Sequence, residues 1–166
     1  GTIMRYPFKE YHTHFDNIKI TKKTKIEETI NFVLKIIDIL EDNYFLKGTF
    51  TGIPSLASRD VNLYLGPLRY PEKAPILVNQ YKNFEIYNYN INMKKLLKNL
   101  DQDEINYIEK NKRCMSELMK NILRMSNGKN TILDVAIKTK IPFRFVFNYA
   151  LLLKEKKILR FYENCL

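Results

Sequence analysis

The order of helix and turn signals in residues 115–163 constrains the fold of this chain more than any other feature. Within MSELMKNILRM, apolar residues recur at helical spacing, namely Met115, Leu118, Met119, Ile122 and Met125. Gly128 then favours the left-handed turn that ends a helix. TILDVAIKT (131–139) predicts a short second helix, Pro142 suits the first turn of a longer third helix, and ILRFYE (158–163) predicts a strand.

A helix, a short helix, a turn, a longer helix and a strand, in that order, are typical of a winged helix-turn-helix. Ala136 in the short helix is small enough to let neighbouring helices pack closely. Small trihelical interaction domains share the same order, so the pattern does not decide between the two. We expect an α+β fold that is mostly helical and ends in such a module.

Two further helices are predicted upstream of this module. Thr24 and Glu27 fit a capping box, in which each side chain accepts a hydrogen bond from the backbone N–H of the other residue. Asp101 and Glu104 form a similar pair at the start of a second helix. After Thr24, an apolar stripe predicts an amphipathic helix over residues 25–43 whose stripe lies in the core, namely Ile26, Ile30, Val33, Ile37 and Leu40.

The middle of the chain is rich in proline and glycine. Residues 48–75 contain Gly52, Gly66 and four of the six prolines. Because proline fixes φ and has no N–H to donate, this stretch predicts a loop-rich connector. The aromatic run QYKNFEIYNYNIN (80–92) predicts either a strand or a long loop. The predicted divisions of the chain are therefore 1–47, 48–92 and 93–166.

The net charge of +10 is concentrated in the second half of the chain. Residues 91–166 contain 16 Lys and Arg against 8 Asp and Glu, whereas residues 1–90 contain 12 against 10. This bias favours an anionic partner such as nucleic acid or an acidic protein face. A genome that favours lysine and asparagine produces the same bias without any such partner.

The third helix of the module has few residues suited to reading DNA. Such a helix needs exposed polar side chains near its N-terminus, and only Arg144 and Asn148, four residues apart on one face, meet that need. Their aromatic neighbours favour packing against protein on more than one side. The basic cluster at the other end of the helix either holds phosphate or is solvated; it consists of Lys154, Lys156, Lys157 and Arg160.

The sequence shows no sign of a membrane or secreted protein. No apolar run approaches the roughly 18 residues that span a bilayer, and no signal-peptide pattern opens the chain. Cys114 and Cys165 form no CxxC pair, which indicates reduced thiols without a function. We therefore expect a cytoplasmic protein with no membrane partner.

The stretch EYHTHFDN (10–17) contains both histidines of the chain. On a strand, alternate residues face the same way, so four zinc-ligand types would line one face, namely Glu10, His12, His14 and Asp16. Four ligands crowded on one strand give poor tetrahedral geometry. The other interpretations are a single histidine that completes a larger site, and two solvated imidazoles.

The segment IMRYPFKEYHTHFDNI (3–18) resembles a stretch near the end of the catalytic domain of zinc-dependent aminopeptidase-like proteins, in a subfamily often encoded beside polysaccharide-biosynthesis genes. That stretch has Met-Arg and then Tyr-His-Thr-Ser-x-Asp, where this chain has Tyr-His-Thr-His-Phe-Asp. The resemblance implies that His12 is the last protein ligand of a paired-zinc site, with His14 in place of the usual serine. It also implies that three neighbours hold the imidazole in its orientation and tautomer, namely Tyr11, Thr13 and Asp16.

Two more stretches resemble the same subfamily in the same order. GIPSLASRDVNLY (52–64) is similar to a Gly-x-Pro-x-Leu-Gly-Lys-Arg-Gly-Leu-Tyr segment that follows the catalytic domain, although Ala57, Ser58 and Asp60 replace Gly, Lys and Gly. Residues 126–159 resemble the C-terminal winged-helix module of those proteins. The resemblance implies that the end of an aminopeptidase-like α/β domain is followed by a winged helix-turn-helix.

The resemblance also implies a reaction that this chain does not complete alone. The family's mechanism uses two zinc ions bridged by a carboxylate, further ligands, and a Glu that acts as general base on a metal-bound water. Since the chain has no histidine beyond residues 12 and 14, we expect it to be a C-terminal fragment of a longer hydrolase, binding zinc only in that context and inactive alone.

The implied partners are the upstream catalytic segment or another copy of the protein, and the implied substrate is a peptide or an amide. Two alternatives stay open, a free-standing winged-helix nucleic-acid-binding protein and a non-catalytic protein-interaction domain.

Overall fold

The computed structural model describes residues 3, 9–10, 12–58, 60–65, 93–111 and 114–163. Its regular elements include a 3-10 helix at Ile18–Ile20, α1 (Lys23–Glu41), β1 (Phe45–Gly48), α2 (Gln102–Lys110), α3 (Cys114–Met125), β2 (Asn127–Thr131), α4 (Ile132–Thr139), α5 (Phe143–Glu155) and β3 (Leu159–Tyr162). The described fold is thus mostly helical with one small antiparallel sheet, which confirms the α+β class. The predicted strand or loop at 80–92, Tyr11 and Cys165 lie outside the described residues.

The chain divides into two compact units, Gly1–Glu41 and Asp42–Leu166. In the first unit, α1 begins and ends two residues before the helix predicted at 25–43. The backbone N–H of Ile26 donates to the carbonyl oxygen of Lys22 at 3.2 Å, so Lys22 is the residue that caps the helix. Thr24 therefore lies inside the first turn, and the predicted capping box with Glu27 is wrong.

The second half of helix α1 is rich in apolar residues and yet exposed. Between residues 30 and 40 the polar residues are Asn31, Lys35 and Asp38. All 19 residues of α1 are described and none is buried; Ile30, Phe32 and Leu40 are 52%, 57% and 70% exposed. The prediction that its stripe lies in the core is therefore wrong for the described chain. No described helix, α1 included, is long and apolar enough to cross a bilayer.

The sheet of the second unit is antiparallel with the strand order β2-β1-β3. Leu46 lies directly opposite Phe161, and Lys47 lies directly opposite Arg160. Because successive side chains alternate between the two faces, Leu46 is buried on the inner face while Lys47 and Arg160 are exposed on the outer face. The strand predicted at 158–163 is confirmed as β3, whereas the central strand β1 was not predicted.

The core lies between the inner face of this sheet and helices α3, α4 and α5. The side chains with 1% exposure or less include Leu46, Leu118, Ile122, Ile132, Val135, Phe145, Val146, Tyr149, Leu153 and Leu159. In α3 the predicted apolar face is buried from Met115 to Ile122. The expectation that α5 packs against protein on more than one side is also confirmed, since seven of its residues are buried.

Local signals at the helix ends are mostly confirmed. The capping box before α2 forms, because the Glu104 N–H donates to the Asp101 carboxylate at 2.8 Å and the Asp101 N–H donates to the Glu104 carboxylate at 3.0 Å. Pro142 occupies the cap of α5 and not its first turn. Gly128 has the predicted left-handed φ of +83° but lies within β2, after α3 has ended at Met125.

The described part of residues 49–65, which omits residue 59, contains no helix or strand, as predicted for a connector. It is nevertheless packed, because Leu56, Leu63 and Leu65 are buried. The hydroxyl of Tyr149 in α5 donates to the carbonyl oxygen of Leu63 at 2.9 Å. Burial raises the pKa of Tyr149 because a phenolate would lose its hydration there. The connector is thus fixed to α5 by one buried hydrogen bond.

Candidate functional site

The described part of the histidine stretch forms consecutive turns and no strand. The Thr13 N–H donates to the carbonyl oxygen of Glu10 at 3.0 Å, and the Asp16 N–H donates to that of Thr13 at 3.0 Å. His12 has a φ of +59°, which a regular strand does not contain. The strand geometry that would place four ligand-type side chains on one face is therefore wrong.

The imidazoles of His12 and His14 are exposed. The His14 ring centroid lies 3.8 Å from that of Phe15. The Thr13 hydroxyl donates to the carbonyl oxygen of Glu10 at 2.7 Å and accepts from the Phe15 N–H at 3.2 Å, so it stabilises the turn. Among the described residues, no three His, Cys, Asp or Glu side chains are grouped as a metal site requires. Zinc ligation by His12 therefore requires groups that the structure does not describe.

Arg144, in the first turn of α5, is bonded within the chain. Its guanidinium donates to the Asp42 carboxylate at 2.6 Å, and the two side chains are 17% and 29% exposed. The guanidinium carbon also lies 5.2 Å from the centroid of the Phe147 ring. This charge-assisted bond joins the start of α5 to the residues that lead into β1.

Asn148, one turn further along α5, is also engaged by the chain. Its amide donates to the carbonyl oxygens of Leu96 at 2.8 Å and Lys98 at 2.9 Å. Both donor positions of the amide are thereby used. The two side chains proposed for contact with bases or phosphates thus hold other parts of the second unit in place.

The C-terminal end of α5 and the edge strand β3 form a basic groove of about 470 Å³, lined by Thr49, Lys154, Lys157, Leu159, Arg160, Phe161 and Tyr162. The ammonium of Lys154 lies 4.6 Å from the centroid of the Phe161 ring. Lys156 does not line the groove, and its ammonium donates to the carbonyl oxygen of Asp60. Three of the four predicted basic residues are therefore brought together.

Two residues next to these were missed by the sequence analysis. Lys47 lies directly opposite Arg160 in the sheet, and its ammonium lies 6.0 Å from the centroid of the Tyr162 ring. Tyr162 is 45% exposed. Like charges that face each other across neighbouring strands repel, which destabilises the folded state. Only the unforeseen position of β1 makes Lys47 part of this surface.

A larger and mainly apolar cavity of about 810 Å³ lies between the connector and α3. Phe50, Pro54 and Leu123 contribute to its lining. Lys120 also lines it and is paired with Glu117 at 3.2 Å. Sequence patterns do not predict this cavity, because an irregular connector forms one of its walls.

Comparison of the chain with protein-family models, curated proteins and solved structures finds no match.

Proposed function

We propose that this chain is the C-terminal part of a zinc-dependent aminopeptidase-like hydrolase. His12 is one metal ligand of that enzyme, and residues 93–166, completed by β1, form its winged-helix module. The observation that carries the proposal is the exposure of the apolar side chains of α1, which other protein is expected to cover. The zinc ligand assignment comes from the resemblance of residues 3–18 to the family.

The exposure of α1 is energetically unfavourable unless other protein covers it. Complete burial of one Ile, Leu or Phe side chain contributes roughly 1.5–3 kcal/mol. Several such side chains of α1, among them Ile30, Phe32 and Leu40, stay about half exposed or more. The apolar face of an amphipathic helix is normally packed against other protein. We take the missing protein to be the body of the catalytic domain.

His12 lies in the same compact unit as α1. Its exposed imidazole fits the role of a single ligand, since zinc takes three or four ligands and the described residues offer no group of three. Zinc in such a site lowers the pKa of a bound water to about 7 and supplies the nucleophile for hydrolysis. The turn bonds of Thr13 hold the backbone on which His12 is carried. No residue of this chain is assigned to the peptide or amide substrate.

The C-terminal module is proposed to contact protein and not to read duplex DNA. The order α3, β2, α4, α5 and β3 agrees with a winged helix-turn-helix. Reading of base edges needs free polar side chains at the start of the recognition helix. Arg144 and Asn148, which would supply them, are bonded to Asp42 and to the carbonyls of Leu96 and Lys98.

The test compares His12→Ala with His14→Ala in the full-length gene product. We expect about two zinc ions per wild-type chain, as the family's paired site implies, and loss of about one in His12→Ala. Hydrolysis of aminoacyl-p-nitroanilides should fall at least 100-fold in His12→Ala. His14→Ala, a neighbouring exposed imidazole, is the matched control and should keep both zinc and activity. Equal zinc content in the two variants would contradict the assignment of His12.

A further inference from the structure

We propose that the basic groove and the adjoining outer face of the sheet bind single-stranded nucleic acid. Lys154, Lys157 and Arg160 contact phosphates of one strand, and a base stacks on the exposed Tyr162 ring. This site does not depend on the zinc hydrolase proposed above, because it lies entirely in the second compact unit.

The charges around the groove favour an anion. None of the residues that line it is acidic. The nearest carboxylate along α5, that of Glu155, is paired with Lys95 at 3.5 Å and does not line the groove. On the outer face, Lys47 and Arg160 are held directly opposite each other. A bound phosphate between such cations removes the repulsion that the empty arrangement carries.

The aromatic rings favour nucleic acid over a simple polyanion. Single-strand-binding surfaces combine a cationic groove that follows the backbone with aromatic rings on which bases stack. Tyr162 lines the groove and is 45% exposed, so part of its ring is accessible to a base. Phe161 packs against the core and has the Lys154 ammonium 4.6 Å from its ring centroid, whereas the Lys47 ammonium lies farther from the Tyr162 centroid, at 6.0 Å. Tyr162 is therefore the stacking residue that we assign.

The position of the groove favours a single strand over a duplex. The groove lies at the C-terminal end of α5 and along the edge strand β3. The start of α5, which would enter a major groove, is occupied by the bonds of Arg144 and Asn148 within the chain. A cationic groove beside a sheet edge can hold the sugar-phosphate backbone of one strand without contacts to base edges.

The test measures binding of a fluorescein-labelled oligothymidylate of about 12 nucleotides by anisotropy. Three phosphate contacts predict a slope of about −2 for log K against log salt concentration. The association constant should therefore fall about 20-fold between 50 and 200 mM NaCl. The groove variant combines three neutral substitutions: Lys154→Gln, Lys157→Asn and Arg160→Gln. Asn is chosen at position 157 because Lys157 has a left-handed φ of +57°.

The matched control removes the same charge from exposed lysines that do not line the groove: Lys94→Gln, Lys110→Gln and Lys138→Gln. The groove variant should lose most of the affinity and the salt slope, while the control should lose less than threefold. Tyr162→Leu should weaken binding about tenfold, whereas Tyr107→Leu, at another exposed tyrosine, should not. Circular dichroism confirms that each variant is folded.

Three results would each overturn the proposal. The first is no binding of the oligonucleotide by the wild-type chain at about 50 mM NaCl. The second is equal weakening in the groove and control variants, which would indicate a general effect of net charge. The third is a combination of two observations. Inorganic polyphosphate or a 12-base-pair duplex binds as tightly as the single strand, and Tyr162→Leu has no effect on binding. The last result would identify a polyanion site that does not recognise bases.

Discussion

Replacement of Tyr149 by Phe removes one buried hydrogen bond while the ring stays in the core. Tyr149 is 0% exposed, and its hydroxyl donates to the carbonyl oxygen of Leu63 at 2.9 Å. In Tyr149→Phe this carbonyl loses the donor, and a buried acceptor without a partner costs about 1–3 kcal/mol. The variant no longer buries a hydroxyl, which offsets part of that cost. We expect the free energy of unfolding to fall by about 1.5 kcal/mol near pH 8.

The same variant has a pH dependence with a definite sign. Burial raises the pKa of Tyr149 above its ordinary value of 10.0. Above pH 10 the unfolded chain therefore loses this proton while the folded chain keeps it, so the wild-type protein loses stability as pH rises. The loss from this one group is about 1.4 kcal/mol at pH 11. Tyr149→Phe lacks the group, so its deficit should shrink from about 1.5 kcal/mol at pH 8 to nearly zero at pH 11.

Urea unfolding followed by far-ultraviolet circular dichroism measures both quantities, since the chain has no tryptophan to report by fluorescence. Tyr107→Phe is the control, because Tyr107 is 39% exposed on α2 and its loss should stay within about 0.5 kcal/mol. An equal loss in both variants would refute the assigned hydrogen bond. A deficit of Tyr149→Phe that is the same at both pH values would refute the role of its buried proton.

Two further predictions concern the ion pair of Arg144 and Asp42. Arg144→Met keeps the aliphatic stem but leaves the half-buried Asp42 carboxylate without its guanidinium partner, and should lower the free energy of unfolding by about 2 kcal/mol. Asp42→Asn keeps an acceptor for the same bond and should cost about 1 kcal/mol, which urea unfolding of both variants checks. Lys25→Met, at an exposed pair with Glu28, is the comparison and should change stability by less than about 0.5 kcal/mol.

The C-terminal helices were predictable because their signals are local. The capping box joins Asp101 and Glu104, which are three positions apart, and the buried stripe of α3 repeats every three or four residues. Pro142 marks the start of α5 within one position. These patterns depend on backbone geometry and on one buried face, and neighbouring residues suffice to encode both.

The features that were missed depend on residues far apart in sequence. The bond from Arg144 to Asp42 joins positions 102 residues apart, and that from Asn148 to Leu96 joins positions 52 apart. The strand β1 has only four residues, FLKG, which are too few to show the alternation of a strand in the sequence. The basic residues of the groove were foreseen, because Lys154, Lys157 and Arg160 are close together in sequence, whereas Lys47 reaches the adjoining face of the sheet only through strand pairing.

In the N-terminal unit, local sequence patterns predicted more than the structure shows. Its apolar stripe correctly predicted a helix, but periodicity does not say whether the surface that covers the stripe belongs to the same chain. The alternation of ligand types in residues 10–16 suited a strand equally well, until the hydrogen bonds of Thr13 and the left-handed His12 established turns. Short polar stretches with few apolar residues carry little information about their conformation.

Hydrogen–deuterium exchange of the α1 amides is the most direct test of whether this helix belongs inside a larger catalytic domain. The account predicts that residues 27–41 exchange rapidly in the isolated 166-residue chain, because none of the side chains of α1 is buried there. In the full-length gene product the same amides should exchange at least about 100-fold more slowly. Equally fast exchange of α1 in both proteins would contradict the account.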